Sequence, residues 1–170
     1  MPFTPFHFGP SGLIGLLLLK WVDFPTVLLA SVVIDIEPLL VLMFNLSYPL
    51  HGFFHSFLGA SIVALLLILI MKYLRGYLSV FMDPLKLKQD VTLRGIALGA
   101  FIGVFSHILL DAPIYVEMNP FFPILGNPFL INNGSISMQT SMFCVFCFLG
   151  ALVTYCIRLI FEIRKRNKLN

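Results

Sequence analysis

Charge is what this chain has least of: Lys, Arg, Asp and Glu together make up 11% of its 170 residues, against about 25% in an ordinary soluble domain. A fold that must meet water on every side is excluded by that scarcity. The net charge is +3, and the cations sit mostly in loops and the tail. The chain therefore offers no basic face for nucleic acid. Cysteine is nearly absent. Cys144, Cys147 and Cys156 fall in one apolar segment, where thiols act as small hydrophobes, and a single CxxC pair reads as structural rather than as a redox or zinc motif. The opening Met1-Pro2-Phe3-Thr4-Pro5-Phe6-His7 lacks the basic region of a secretory signal and carries early prolines, so it is expected to belong to the mature fold.

What remains is apolar. Hydrophobic residues make up 59% of the chain and mean hydropathy is +0.97. About 20 apolar residues cross a bilayer core as a helix, and the spacing predicts an all-α, polytopic membrane helix bundle rather than a barrel. It forms one integral membrane domain over 1–170, with about four to five membrane segments. Ser11 to Leu19 is a short helix ending at the interfacial cluster Lys20-Trp21-Val22-Asp23. Phe24 to Phe44 is long enough to cross, but Asp35 and Glu37 lie inside it and Pro38 should break it. A helix from His51 to Tyr77 follows, its apolar body ending at Lys72 and Arg75. Then come a polar cytoplasmic loop over 76–94, a helix from Val91 to Asp111 rich in small residues, and a capping loop over 114–137. The last helix, Met138 to Ile163, leads into a basic cytoplasmic tail over 164–170.

Lys72, Arg75, Lys86, Lys88, Arg94 and the tail place those ends on the cytoplasmic side of an inner, cytoplasmic membrane. The N-terminus is then outside and the C-terminus inside. Each ionisable group thereby acquires a depth, at about 1.5 Å of rise per residue. Asp35 stands 11 residues beyond Phe24, His107 13 beyond Arg94 and His55 17 before Lys72. All fall in the middle-to-outer half, and His7 reaches the same zone. His51 and His55, spaced i,i+4, are expected to face the same way on one helix, and His107 and Asp111 repeat that spacing. With Asp35 they offer nitrogen and oxygen donors suited to zinc or manganese. An unpaired carboxylate in hydrocarbon is costly, so Asp35, Glu37 and Asp111 need partners, and the histidines or a divalent metal are the ones at hand. Tyr115 and Glu117 fall near the mouth of this cluster as weak substrate contacts.

Four blocks carry a resemblance. They are the opening Met1-Pro2-Phe3-Thr4-Pro5-Phe6-His7-Phe8-Gly9-Pro10, then Ile34-Asp35-Ile36-Glu37-Pro38, His51-Gly52-Phe53-Phe54-His55-Ser56-Phe57-Leu58-Gly59-Ala60, and Ser106-His107-Ile108-Leu109-Leu110-Asp111. Together they resemble the membrane-bound metal-dependent hydrolases, a family distantly similar to the zinc-dependent phospholipase C superfamily. The resemblance covers about residues 1–130. It implies His7, Asp35, His51, His55, His107 and Asp111 as metal ligands, with Glu37 a ligand or base.

The expected function is hydrolysis of a lipid-like ester or phosphoester by a metal-activated water, with Glu37 or Asp111 taking the proton and membrane lipid as the surrounding partner. The same residues would also line an ion or proton transporter, or hold a structural metal in an accessory membrane protein. Between Arg94 and His107 no ionisable residue occurs, which favours a site open to one side. The orientation is checked by a Lys86→Cys variant in a cysteine-free background. Maleimide should label it only after permeabilisation, and labelling on intact cells would reverse the topology.

Overall fold

Helix starts follow the capping residues. Asp23, Ser56 and Thr92 accept a hydrogen bond from the backbone N–H of Thr26, Gly59 and Gly95 in turn, satisfying one of the orphan donors of each first turn. The computed structural model describes residues 4–167. Its helices are α1 (Phe8–Leu17), α2 (Phe24–Val33), α3 (Ile36–Met43), α4 (Phe57–Met82), α5 (Leu93–Asp111) and α6 (Ile136–Asn167). Short 3-10 turns at Thr4–His7 and Phe53–His55 precede α1 and α4. The fold is all-helical among the described residues.

Four stretches are long and apolar enough to cross a membrane: Phe24–Met43, Phe57–Met82, Leu93–Asp111 and Ile136–Arg164. The chain is a multi-pass membrane protein. At ten residues, α1 is about 15 Å long and does not span.

Neighbouring helices follow the order α6, α1, α2, α5, α4. The approach of α5 to α2 is set by glycine. A Cβ on Gly103 would lie 2.4 Å from Ala30 Cβ and 2.7 Å from the Val27 carbonyl oxygen, and one on Gly99 would lie 3.0 Å from the Asp23 carbonyl oxygen. Small residues at i,i+4 let two backbones touch, which is how helices associate where lipid removes the hydrophobic drive. Across the other face of α5, Ile96, Ala100, Val104 and Ile108 pack with Ala60, Ala64, Leu67 and Met71 of α4. The outer helix α6 keeps most of its apolar side chains exposed, as a lipid-facing helix must.

A second polar centre closes the opposite end of the bundle. Buried Asp23 caps α2, bonds Thr26 Oγ1 and pairs with buried Arg75 of α4. Gln89 Nε2 donates to the Leu19 and Val22 carbonyls, and Gln89 Oε1 accepts from Phe24 N–H.

Three expectations need correction. His51 and His55 do not share a helix: His51 lies in a turn, His55 ends a 3-10 turn, and α4 begins at Phe57 because Ser56 caps it. The apolar body of α4 does not end at Lys72 and Arg75 but continues to Met82, because Arg75 is neutralised by Asp23 inside the bundle. The membrane break falls at Ile34 and Asp35, before Pro38. Pro38 is then the third residue of α3, where its missing N–H is harmless. The expected tail begins inside α6. Residues 168–170, like residues 1–3 of the opening block, lie outside the described residues.

Gly103→Val should lower stability in detergent by roughly 1–3 kcal/mol through overpacking. Gly76→Val, with nothing within 4 Å of its added Cβ, should not. Thermal unfolding of both variants checks this, and equal midpoints would contradict a glycine-limited α2–α5 contact.

Candidate metal centre

The break between α2 and α3 turns Asp35 toward α5, and the α2–α5 contact does the rest. His107 Nδ1 sits 2.7 Å from the Ser31 carbonyl oxygen one turn before the break. A carbonyl can only accept, so Nδ1 carries a proton and Nε2 is the nitrogen turned toward the carboxylates. That Nε2 lies 3.4 Å from Asp35 Oδ1 and 3.3 Å from Asp111 Oδ2.

His55 is fixed in the same way. Its Nδ1 lies 2.7 Å from Glu37 Oε2, and the Glu37 carboxylate also accepts the backbone N–H groups of Gly52 and Phe54, each at 3.1 Å. Glu37 thereby locks the turn that carries His55. Its Nε2 points inward, 3.8 Å from Asp35 Oδ1.

Ligand atoms of Asp35, His55, His107 and Asp111 all lie within 4.8 Å of one another. Asp35 has a side-chain exposure of 16%, against 0–3% for the other three. The Nε2 atoms of His55 and His107 and Asp111 Oδ1 are buried and have no hydrogen-bond partner among the described residues. Imidazole nitrogens and carboxylate oxygens therefore face one another in a buried site, an arrangement that a shared proton or a bound cation stabilises. This His/Asp cluster is able to bind a metal ion.

The remaining predicted residues form its surroundings. His7 stacks on His107 with ring centroids 4.0 Å apart, and its Nε2 is 3.5 Å from Asp111 Oδ1. Burial, with His107 beside it, pushes its pKa down to about 4, so it is neutral near pH 7. His51 stands outside the four-residue group. Its Nδ1 bonds Glu117 Oε1 at 2.8 Å and its ring stacks on Tyr115 at 3.6 Å, while its edge meets His55 at 4.7 Å. Burial lowers its pKa against the opposing hydrogen bond from Glu117, and burial raises that of Tyr115.

The capping loop is held by Asn127, whose Nδ2 donates to the Ala112 and Tyr115 carbonyls, and by Phe57 N–H donating to the Pro120 carbonyl. Sequence reasoning missed Ser31 and Asn127. The signal for Ser31 was a serine inside an apolar helix, with Ser11 as its partner: the two hydroxyls are 2.9 Å apart.

The chain matches the model of the YdjM inner membrane protein family over residues 4–167 and belongs to that family. No curated protein and no solved structure matches it. The resemblance to membrane-bound metal-dependent hydrolases is corrected by this finding: the matching family is a different one, and nothing links the chain to the phospholipase C superfamily. The four blocks misled for a physical reason. Any cation cluster built between membrane helices calls for His and Asp at helical spacing, so such blocks recur without kinship.

Replacing Glu37 by Gln weakens the orientation and basicity of His55 without removing a donor from the cluster. Affinity for zinc, measured by competition with a chromophoric chelator, should fall by about 10–100-fold. Unchanged affinity would exclude Glu37 as the group that positions His55.

Proposed function

We propose that this YdjM-family protein is a membrane-embedded, metal-dependent hydrolase of a lipid-like ester or phosphoester. One observation carries the reading: four potential ligand atoms converge in a buried site, and two of them belong to imidazoles whose outer nitrogens are already committed. A divalent cation satisfies all four and balances the two carboxylates. Zinc, and next to it manganese, suits two nitrogen and two oxygen donors. Such an ion, when bound, lowers the pKa of a water molecule and polarises a carbonyl or phosphoryl oxygen.

The chain's own residues have separable tasks. Glu37 and the Ser31 carbonyl hold His55 and His107 in one tautomer and one orientation. Asp111, whose Oδ1 has no hydrogen-bond partner among the described residues and lies 3.5 Å from His7 Nε2, would take a proton. Glu37, already accepting three hydrogen bonds, acts by positioning. Asp35 and Glu117 are the carboxylates nearest the opening, exposed by 16% and 32%, so substrate approaches from the side of the capping loop. A site among apolar helices admits a lipid ester more readily than a soluble molecule.

Orientation follows from charge. Lys86, Lys88, Arg94 and Arg164 gather at one end of the spans, which supports a cytoplasmic place for that end and for the C-terminus. The cluster then opens toward the outer half. Below His107 the buried face of α5 is Gly95, Ile96, Gly99, Ala100, Gly103 and Val104. No ionisable step leads downward along it, which supports a site open to one side over a transport path. The low exposure of His55, His107 and Asp111 favours a second reading, a closed structural metal.

Elemental mass spectrometry of the detergent-purified protein tests both, on wild type, His55→Ala and Asp111→Ala, beside assays on lipid esters and phosphoesters. Stoichiometric zinc or manganese should be lost in both variants, together with hydrolysis, while helical circular dichroism persists. Metal without hydrolysis, with unfolding on chelation, would support the structural reading. Absence of metal after reloading would defeat both.

A further inference from the structure

At the opposite end of the bundle from the His/Asp cluster, where α1 ends and α5 begins, lies a cavity of about 300 Å³. Lys20, Trp21, Lys88, Gln89, Asp90 and Arg158 contribute to its wall. Its charge is unbalanced. Asp23, also in the wall, is neutralised by Arg75, while Lys88 makes only a solvent-exposed contact of 3.9 Å with Asp83 and stays available to a ligand. Lys20, Lys88 and Arg158 then outnumber Asp90.

Arg158 gives the cavity its meaning. It stands in the apolar span Ile136–Arg164, yet its Nε is buried and meets no acceptor among the described residues. Cations at membrane depth are retained where they pair, and a guanidinium offers two parallel N–H groups that match two oxygens of a phosphate. The missing partner is therefore an anion.

A second cavity identifies which one. An apolar groove of about 510 Å³ between α1, α2 and α6 is lined by Phe8, Leu16, Phe24, Leu28, Phe148 and Tyr155, among others. Tyr155 precedes Arg158 by one turn of α6, and Leu87 of the groove adjoins Lys88 of the basic cavity. Basic cavity and acyl-sized groove thus sit side by side at the interfacial Lys20-Trp21 pair, the order of headgroup and chain in a phospholipid.

We propose that the basic cavity binds the phosphate of an anionic phospholipid headgroup from the adjoining leaflet through Arg158, Lys88 and Lys20, with an acyl chain in the apolar groove beside it. The site is separate from the metal centre and does not depend on hydrolysis.

Trp21 is the sole tryptophan and lines the cavity, so its fluorescence reports binding in the full chain. Delipidated protein in detergent is titrated with dioleoyl phosphatidylglycerol, with dioleoyl phosphatidylcholine and with inorganic phosphate. Phosphatidylglycerol should shift the emission saturably at a mole fraction about tenfold below that for phosphatidylcholine. Arg158→Gln and Lys88→Gln should each raise that mole fraction by about threefold or more, while Arg164→Gln, outside the cavity, leaves it unchanged. Lys88 has a side-chain exposure of 78%, so its variant reports even where Arg158→Gln misfolds. Equal responses to the two lipids, or an unaltered response in the Lys88 variant, would overturn the proposal. Reproduction of the shift by inorganic phosphate alone would assign the cavity to a free anion and overturn the lipid assignment.

Discussion

The contact between α5 and α2 is the constraint on which the rest of the molecule depends. In a bilayer two helices gain nothing by hiding apolar surface from lipid, so they associate where their backbones can come close. Gly99 and Gly103 provide that approach, against Asp23, Val27 and Ala30. The consequence appears one turn further along. His107 is carried onto the Ser31 carbonyl, and Asp111 follows on the same face. With a larger residue at Gly103, the imidazole would stand off from Ser31, and its proton and lone pair would no longer be assigned.

The two ends of the bundle solve the same problem with different chemistry. Ionisable groups inside an apolar frame need partners. At one end Asp23 and Arg75 neutralise each other, and Gln89 satisfies the backbone groups where α1 gives way to α2. At the other end imidazoles meet carboxylates, a set of groups that could hold a metal ion. Between them α4 and α5 pack alanines against larger aliphatics, leaving an apolar partition between the two polar centres. This separation keeps the His/Asp cluster at one end of the bundle and the basic cavity at the other.

Much of this was legible along the chain, and the failures have identifiable causes. The spans were readable because hydrocarbon imposes length and apolarity together. Asp35, His55, His107 and Asp111 were readable because ionisable residues are costly at such depth and therefore conspicuous. The helical pairing of His51 with His55 failed because spacing says nothing about where a helix begins. Ser56 caps α4 and starts it two residues after His55, leaving the histidines on a turn that Glu37 braces through the Gly52 and Phe54 N–H groups. The early end assigned to α4 failed because a cation was read as a membrane boundary, while Arg75 had a buried partner 52 residues earlier.

Sequence alone determined that the protein is helical and lives in lipid, and which side chains must be reconciled with that medium, because composition and hydropathy act locally and need no partner. Tertiary structure alone decided which donors share one cluster, that His51 turns away to Glu117 and Tyr115, that Glu37 meets His55 Nδ1, and which nitrogen of each imidazole faces the cluster. Those outcomes depend on the distance between backbones, on a break falling at Asp35 rather than Pro38, and on carbonyls such as that of Ser31. A backbone carbonyl is present at every position of the chain, so only the packing of α2 against α5 decides which of them meets a histidine.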